Sequence, residues 1–210
     1  MRVILASTSP RRRDLLSLLE IHFEVVTPSF EERIVPGHTA KELVAQFARG
    51  KATSVAQHNL EALVIASDTL IQLNGEVLGK PDDLPEARAI LRRMAGRAHL
   101  VQTAVACCCA ARRWELTEVA TASVWMKPFD AETHERYLAT GDSLGKAGAY
   151  SIQGPGGELI ERLDGDFTAV VGLPLRLVAN LLARGGVMIP VDVDALYVSR
   201  PYGNWVRFGG

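Results

Sequence analysis

A short apolar run, Val3-Ile4-Leu5-Ala6, meets a helix-start signal within a few residues. A run of this length between turn signals is read as a buried strand. Ser9 suits the N-cap and Pro10 the first helical position, so the chain turns from strand to helix at Ser7-Thr8-Ser9. Leu15, Leu16 and Leu19 give that helix its apolar face, and it is expected to reach about Leu19.

The same alternation continues. A second strand is expected over His22 to Val26, and a helix from about Thr39, where Thr39 and Glu42 have capping-box spacing. The apolar face of that helix is Val44, Phe47, Ala48, Ala52 and Val55. Lys51 stands four residues from both Phe47 and Val55 and shares their face, so it either snorkels or meets an anion. A third strand, Leu63 to Ala66, is expected to end in Ser67-Asp68-Thr69. Asn74-Gly75 signals a tight hairpin. Asp83, with Glu86 three residues on, caps a further helix that Gly96 stops. Leu100 to Cys109 and Leu116 to Met126 are expected to pair antiparallel, followed by a helix from Asp130 to about Ala139. A glycine-rich loop, Gly145 to Gly157, precedes two short expected strands, Leu159–Leu163 and Phe167–Val171. A last clear helix runs from Pro174 to just before Gly185-Gly186. The order is mixed α/β, with both parallel and antiparallel pairing.

At 210 residues the chain suggests one domain, large enough to need no disulfide or metal staple. A composition 48% hydrophobic and 22% charged excludes disorder. The formal net charge of −1 argues against a general duplex-binding surface. Cys107, Cys108 and Cys109 are consecutive and fit no zinc spacing; they read as buried strand residues whose faces alternate. No stretch is long enough to span a membrane, and the first apolar run is too short for a signal segment, so a cytoplasmic protein is expected.

The chemistry concentrates where two strands end. Open α/β sheets bind ligands beyond the carboxyl ends of their strands. If the first and third strands are neighbours, Ser7-Thr8-Ser9-Pro10-Arg11-Arg12-Arg13 and Ser67-Asp68-Thr69 line one crevice. A capped helix start offers free N–H groups and partial positive charge, and arginines add forked hydrogen bonds, which together suit phosphate. The alternative is a capped surface helix with solvated arginines. Asp68 is either a turn aspartate or a carboxylate that holds a divalent cation or activates water. Lys80, in Gly79-Lys80-Pro81, is a second cation candidate or a solvated lysine. Glu31 and Glu32 are either a solvated pair or a source of one metal ligand. Gln153 carries an amide that both donates and accepts, as a nucleobase edge requires. No Walker A motif and no GxGxxG after a strand is present.

Together these segments resemble the Maf family of nucleoside triphosphate pyrophosphatases. The resemblance rests on Leu5 to Arg12, Ala66-Ser67-Asp68-Thr69, Gly79-Lys80-Pro81, Lys146 to Gly154 and Val171-Gly172-Leu173-Pro174-Leu175, in family order. It implies a Maf/Ham1 (ITPase-like) α/β fold, an elongated mixed sheet flanked by helices with a cleft between two lobes. It implies hydrolysis of a nucleoside triphosphate to monophosphate and pyrophosphate with a divalent cation, Mg²⁺ or Mn²⁺. Asp68 matches the family's catalytic aspartate. Ser9, Arg11, Arg12, Lys51, Thr69, Lys80 and Gln153 match substrate-contacting positions, and Glu32 with Asp68 the metal-holding ones. Arg11, Thr69 and Gln153 resemble the dTTP/UTP branch rather than the 7-methyl-GTP branch, which carries an aromatic, a Gln and a Glu there.

Two features depart from the pattern. Ser151 stands where many members have glycine, and residues 187–210 extend past the 1–186 family region. Tyr197, Tyr202, Trp205 and Phe208 in that extension either pack on the body or a partner or belong to a flexible end. The expected partner is the nucleotide, with no membrane, no stable nucleic acid and a homodimer left open. The alternatives are a 7-methyl-GTP or other modified-nucleotide pyrophosphatase, or a non-enzymatic nucleotide- or nucleic-acid-binding division regulator.

Overall fold

The strand-to-helix turn at Ser7-Thr8-Ser9 forms as its residues dictate. In the computed structural model, which describes residues 1–35, 37–128 and 130–209, β1 (Val3–Ala6) leads into α1 (Pro10–Ser17). The Arg12 N–H donates to Ser9 Oγ at the helix start. β2 (Glu24–Val26) follows, then α2 (Ala40–Ala56). The α2 capping box is complete: Glu42 N–H donates to Thr39 Oγ1 at 3.2 Å and Thr39 N–H to Glu42 Oε2 at 2.8 Å. Next come β3 (Leu63–Leu73), β4 (Glu76–Leu78), α3 (Leu84–Met94), β5 (Ala98–Cys109), β6 (Trp114–Met126) and α4 (Ala131–Ala139). After the glycine-rich loop, β7 (Ile160–Asp164), α5 (Phe167–Val171), α6 (Leu175–Arg184), α7 (Val193–Ser199) and α8 (Gly203–Phe208) complete the chain.

Among the described residues the strands form one seven-stranded mixed sheet, in the order β2-β1-β3-β5-β6-β7 with β4 added to β3. β1 and β3 are parallel neighbours, Leu5 opposite Ile65. The period of two sorts side chains cleanly. Ile4, Ala6, Val64, Ala66, Ala104 and Cys108 meet α2 through Val44, Phe47, Ala48 and Val55. Leu5, Leu63, Ile65, Val105, Cys107 and Cys109 share the other core with α1, α3 and α6. The three cysteines are buried and unbridged, with alternating faces as expected. Asn74 and Gly75 turn the β3–β4 hairpin with φ of 51° and 87°, the backbone that a tight two-residue hairpin requires.

Three expectations need correction. β3 does not stop at Ala66 but continues to Leu73, which puts Asp68 in mid-strand. β5 pairs along nearly the whole length, from Val64 opposite Cys108 to Gln72 opposite Leu100, and this ladder overrides the polar break. On the other edge β1 pairs only as far as Ile65 and β4 only from Ile71. The interval between them leaves an opening beside Asp68. Phe167–Val171 is a helix, not a strand; an apolar run this short fits either, and Asp166 decides it by accepting from Thr168 N–H at 2.8 Å. The chain past Gly186 adds two helices that the sequence pattern did not reveal.

Those helices pack on the body. Trp205 is 1% exposed and stacks on Phe167 with ring centroids 5.6 Å apart. Tyr197 Oη donates to Asp166 Oδ2 at 2.8 Å and shares a 2.9 Å bond with Thr168 Oγ1. Trp205→Ala is therefore expected to cost about 3–5 kcal/mol, as loss of a fully buried aromatic does. Thermal melting should show a loss of ~10 °C; a shift within error would mean that the extension is an unanchored appendage.

Candidate active site

The opening between β1 and β4 leads into a cleft of about 690 Å³. Its walls include Ser9, Arg11 and Arg12 from the first turn, Glu32 from the loop after β2, and Lys51 from α2. Asp68 and Thr69 of β3, Lys80 after β4, and Lys146, Tyr150 and Ser151 of the glycine-rich loop complete it. Of the residues to which the resemblance gave a catalytic, substrate or metal role, all but Gln153 line this cleft. Gln153 is half-buried just behind Ser151 and Ile152, outside the wall that they form.

Lys51 meets anions rather than snorkelling. Its ammonium bridges Asp68 Oδ1 and, at 2.5 Å, Glu32 Oε1, and its side chain is 11% exposed. The alternation of β3 explains the placement: Asp68 shares the face of Val64 and Ala66, which is the face α2 covers. Glu31, the other member of the acidic pair, points away and pairs with Arg33 at 2.7 Å.

The two carboxylates on Lys51 differ. Burial pushes the Asp68 carboxyl above its ordinary range, outweighing the pull of Lys51 and Arg12. Burial acts in the same direction on Glu32, but less than the hydrogen bond and charge of Lys51, aided by Lys80 and Arg12, which hold it below the ordinary range. Environments that drive paired titratable groups apart suit one of them to accept a proton near neutral pH. Asp68 Oδ2 is buried and has no hydrogen-bond partner among the described residues, an unused acceptor on a side chain that lines the cleft.

On the opposite face of β3, a directional chain fixes the arginine. Arg12 Nε donates to the Gly172 carbonyl at 2.9 Å and Nη2 to Thr69 Oγ1 at 3.3 Å. Thr69 and Thr103 hydroxyls are 3.0 Å apart, and Thr103 Oγ1 donates to the Ala169 carbonyl at 2.8 Å. Thr103's proton is thus spent on Ala169, so Thr69 is the donor between the two hydroxyls. Ser67 Oγ also donates to Gly172 O, at 2.8 Å. Burial lowers the Arg12 guanidinium and Asp68 raises it, but arginine keeps its charge throughout. Gly172 itself has φ of 120°, a backbone open essentially to glycine alone.

Sequence reasoning gave no role to Gly172, Thr103 or Lys146. A backbone carbonyl carries no side-chain signal, and Thr103 lies opposite Thr69 only through strand register. Lys146 reaches the cleft while bonded to Asp142, whose Oδ1 is 2.8 Å away. Ser151 lies outside the positive-φ residues, so a serine in place of glycine strains nothing there; the left-handed residues of this loop are Gly145, Gly148 and Ala149.

The Maf family, described as Maf-like protein, matches residues 2–185. A dTTP/UTP pyrophosphatase of Pelotomaculum thermopropionicum is 44% identical over 88% of this chain and 96% of its own length. One from Methanosarcina barkeri is 40% identical over 90% of this chain and 96% of its own. Among solved structures, a dITP/XTP pyrophosphatase of Mycobacterium abscessus overlaps at a TM-score of 0.41 and 17% identity, covering 62% of this chain and 77% of that one. With the match running through β1, Asp68 and Gly172, and with such identity sustained over most of its length, the chain belongs to the Maf family.

Proposed function

We propose that the chain hydrolyses dTTP and UTP to the nucleoside monophosphate and pyrophosphate. The observation that carries this reading is the buried Lys51 bridge between Asp68 and Glu32, set in a cleft with Arg11, Arg12 and Lys80. Cations in a cleft of this size suit a triphosphate, and a free carboxylate oxygen among them suits an attacking water. The relatives' names support the substrate choice. A formal charge of −1 favours free nucleotides over nucleic acid. Among the described residues no helix is long and apolar enough to cross a membrane, and free nucleotide substrates suit a cytoplasmic setting.

The residues fit a divalent cation that is completed by the substrate. No group of three or more His, Cys, Asp and Glu side chains forms a closed site among the described residues. Yet Asp68 Oδ2 is an orphaned buried acceptor, and Mg²⁺ is usually held by one or two carboxylates together with substrate phosphates. Asp68 and Glu32 would hold it. Bound Mg²⁺ or Mn²⁺ would neutralise charge on the phosphoryl oxygens and ease deprotonation of water.

The protein's own groups do the rest. Ser9 and the first turn of α1 orient phosphate oxygens, with Arg11 and Arg12 fixing their plane. Lys51 holds Asp68 in place. Asp68 aligns water behind the α-phosphorus and takes its proton as the new O–P bond forms. The bond from that phosphorus to its bridging oxygen breaks, and pyrophosphate departs toward Lys80. We assign base reading to Thr69 on the cleft wall and to Gln153, which lies just outside that wall next to Ser151 and Ile152 and would have to turn toward the bound base; its amide can donate to a carbonyl of thymine or uracil and accept from N3–H.

The test is pyrophosphate release from dTTP, UTP, GTP and 7-methyl-GTP with Mg²⁺ or Mn²⁺. Preference for the two pyrimidines is expected, and Gln153→Glu should reduce kcat/KM for them by ~10²-fold, since unpaired polar groups in a closed site are strongly rejected. Preference for 7-methyl-GTP by the unaltered chain would overturn the substrate choice.

A further inference from the structure

The C-terminal extension reaches the glycine-rich loop through one side chain. Asn204 Nδ2 donates to the Ile152 carbonyl at 2.6 Å and to the Gly154 carbonyl at 2.9 Å. These carbonyls flank Gln153. A primary amide has two N–H groups, and both are used here. Because both partners are acceptors, the nitrogen end must face the loop. Pinning the Ile152 carbonyl fixes the peptide plane that enters Gln153, and pinning the Gly154 carbonyl anchors the chain one peptide beyond it; held at both points, the segment restricts the direction in which the Gln153 side chain leaves the backbone.

The rest of the geometry serves the same contact. α8 carries Asn204 beside Trp205, which is buried against Phe167 and Tyr197. Opposite, a Cβ on Gly157 would lie 2.4 Å from Asn204 Nδ2, so the amide fits only because residue 157 is glycine. The loop has little regular structure of its own, only two short 3₁₀ turns, Ala147–Ala149 and Pro155–Leu159. Asn204 lies outside residues 2–185, the stretch that the family matches.

We propose that Asn204 is a positioning residue for base selection: it clamps the loop so that Gln153 is presented at one angle to the nucleobase. This rests on the reading of Gln153 given above. A recognition group must be held within about 0.5 Å to discriminate, and the clamp supplies that constraint from outside the loop. Asp68 and Lys51 stand on other elements, so chemistry is largely spared when the clamp opens.

The test is steady-state kinetics of Asn204→Asp on dTTP, UTP and GTP, beside hydrogen exchange across residues 145–157. The substitution keeps size and turns a shared donor into an acceptor facing two carbonyls. KM for dTTP and UTP is expected to rise about tenfold, the effect of losing one well-made hydrogen bond, with kcat within about threefold. The kcat/KM preference for UTP over GTP should fall by a similar factor, and the loop should exchange faster while β5 does not. Gly157→Ala, which displaces the amide from the other side without requiring a left-handed backbone, should give the same pattern and stands in if Asn204→Asp does not fold. A fall in kcat with the base preference intact, or an unchanged preference despite a loosened loop, overturns the clamp. A wild-type chain that shows no base preference instead overturns the reading of Gln153, and with it any role for Asn204 in selection.

Discussion

Asp68→Asn is expected to lower kcat by about 10³-fold or more while leaving the melting temperature unchanged or raised. The substitution keeps the shape of the side chain and one carbonyl acceptor for Lys51. It removes the negative charge whose burial is costly and replaces an open acceptor by an amide. Asp68 is 5% exposed and its Oδ2 has no partner among the described residues, so nothing structural depends on that atom. An amide cannot take a proton from water or ligate a cation as a carboxylate does. Stability held and turnover lost is the pattern of a group strained for function. Turnover near that of the parent chain would remove Asp68 from the chemistry.

Lys51→Met carries the second large effect, and here stability and turnover fall together. Removing the ammonium leaves Asp68 buried without its counter-charge and Glu32 without its main partner. Breaking one side of a buried ion pair costs about 3–5 kcal/mol. For a chain of this length, that is a loss of ~10 °C in melting temperature. Turnover should fall by at least ~10²-fold, since the carboxylate loses both its position and the charge that keeps it ionised. The double variant Lys51→Met with Asp68→Asn separates the two causes. It should recover most of the stability, because no unpaired charge remains deeply buried, and none of the activity. Failure to recover the stability would mean that Lys51 stabilises through the packing of its stem between α2 and the sheet and not through the pair.

Much of this was legible in the residues. The Ser9 cap, the Thr39–Glu42 box and the Asn74-Gly75 turn are local, and local chemistry decided them. Lys51 on an apolar helix face already had to snorkel or meet an anion, because a buried ammonium cannot remain unpaired, and the fold supplies the anions. The parts that were not legible depend on distant chain. β3 continues past its polar break because β5 pairs with it throughout, and register is not written in either strand alone. Phe167–Val171 is apolar enough for a strand, and one aspartate before it tips it to helix. The Gly172 carbonyl receives Arg12 and Ser67 from segments more than a hundred residues away, where no side-chain signal exists to be read. Asn204 has the same character: a single polar residue in a short helix, given meaning only by the carbonyls above it.

The central claim is that water attacks the α-phosphorus of a pyrimidine nucleoside triphosphate at Asp68. Turnover of dTTP and UTP in H₂¹⁸O, with mass analysis of both products, tests it most directly. The account predicts one ¹⁸O in the nucleoside monophosphate, none in the pyrophosphate, and near-complete loss of both products in Asp68→Asn. Label in pyrophosphate or inorganic phosphate, or undiminished label incorporation by Asp68→Asn, would contradict it.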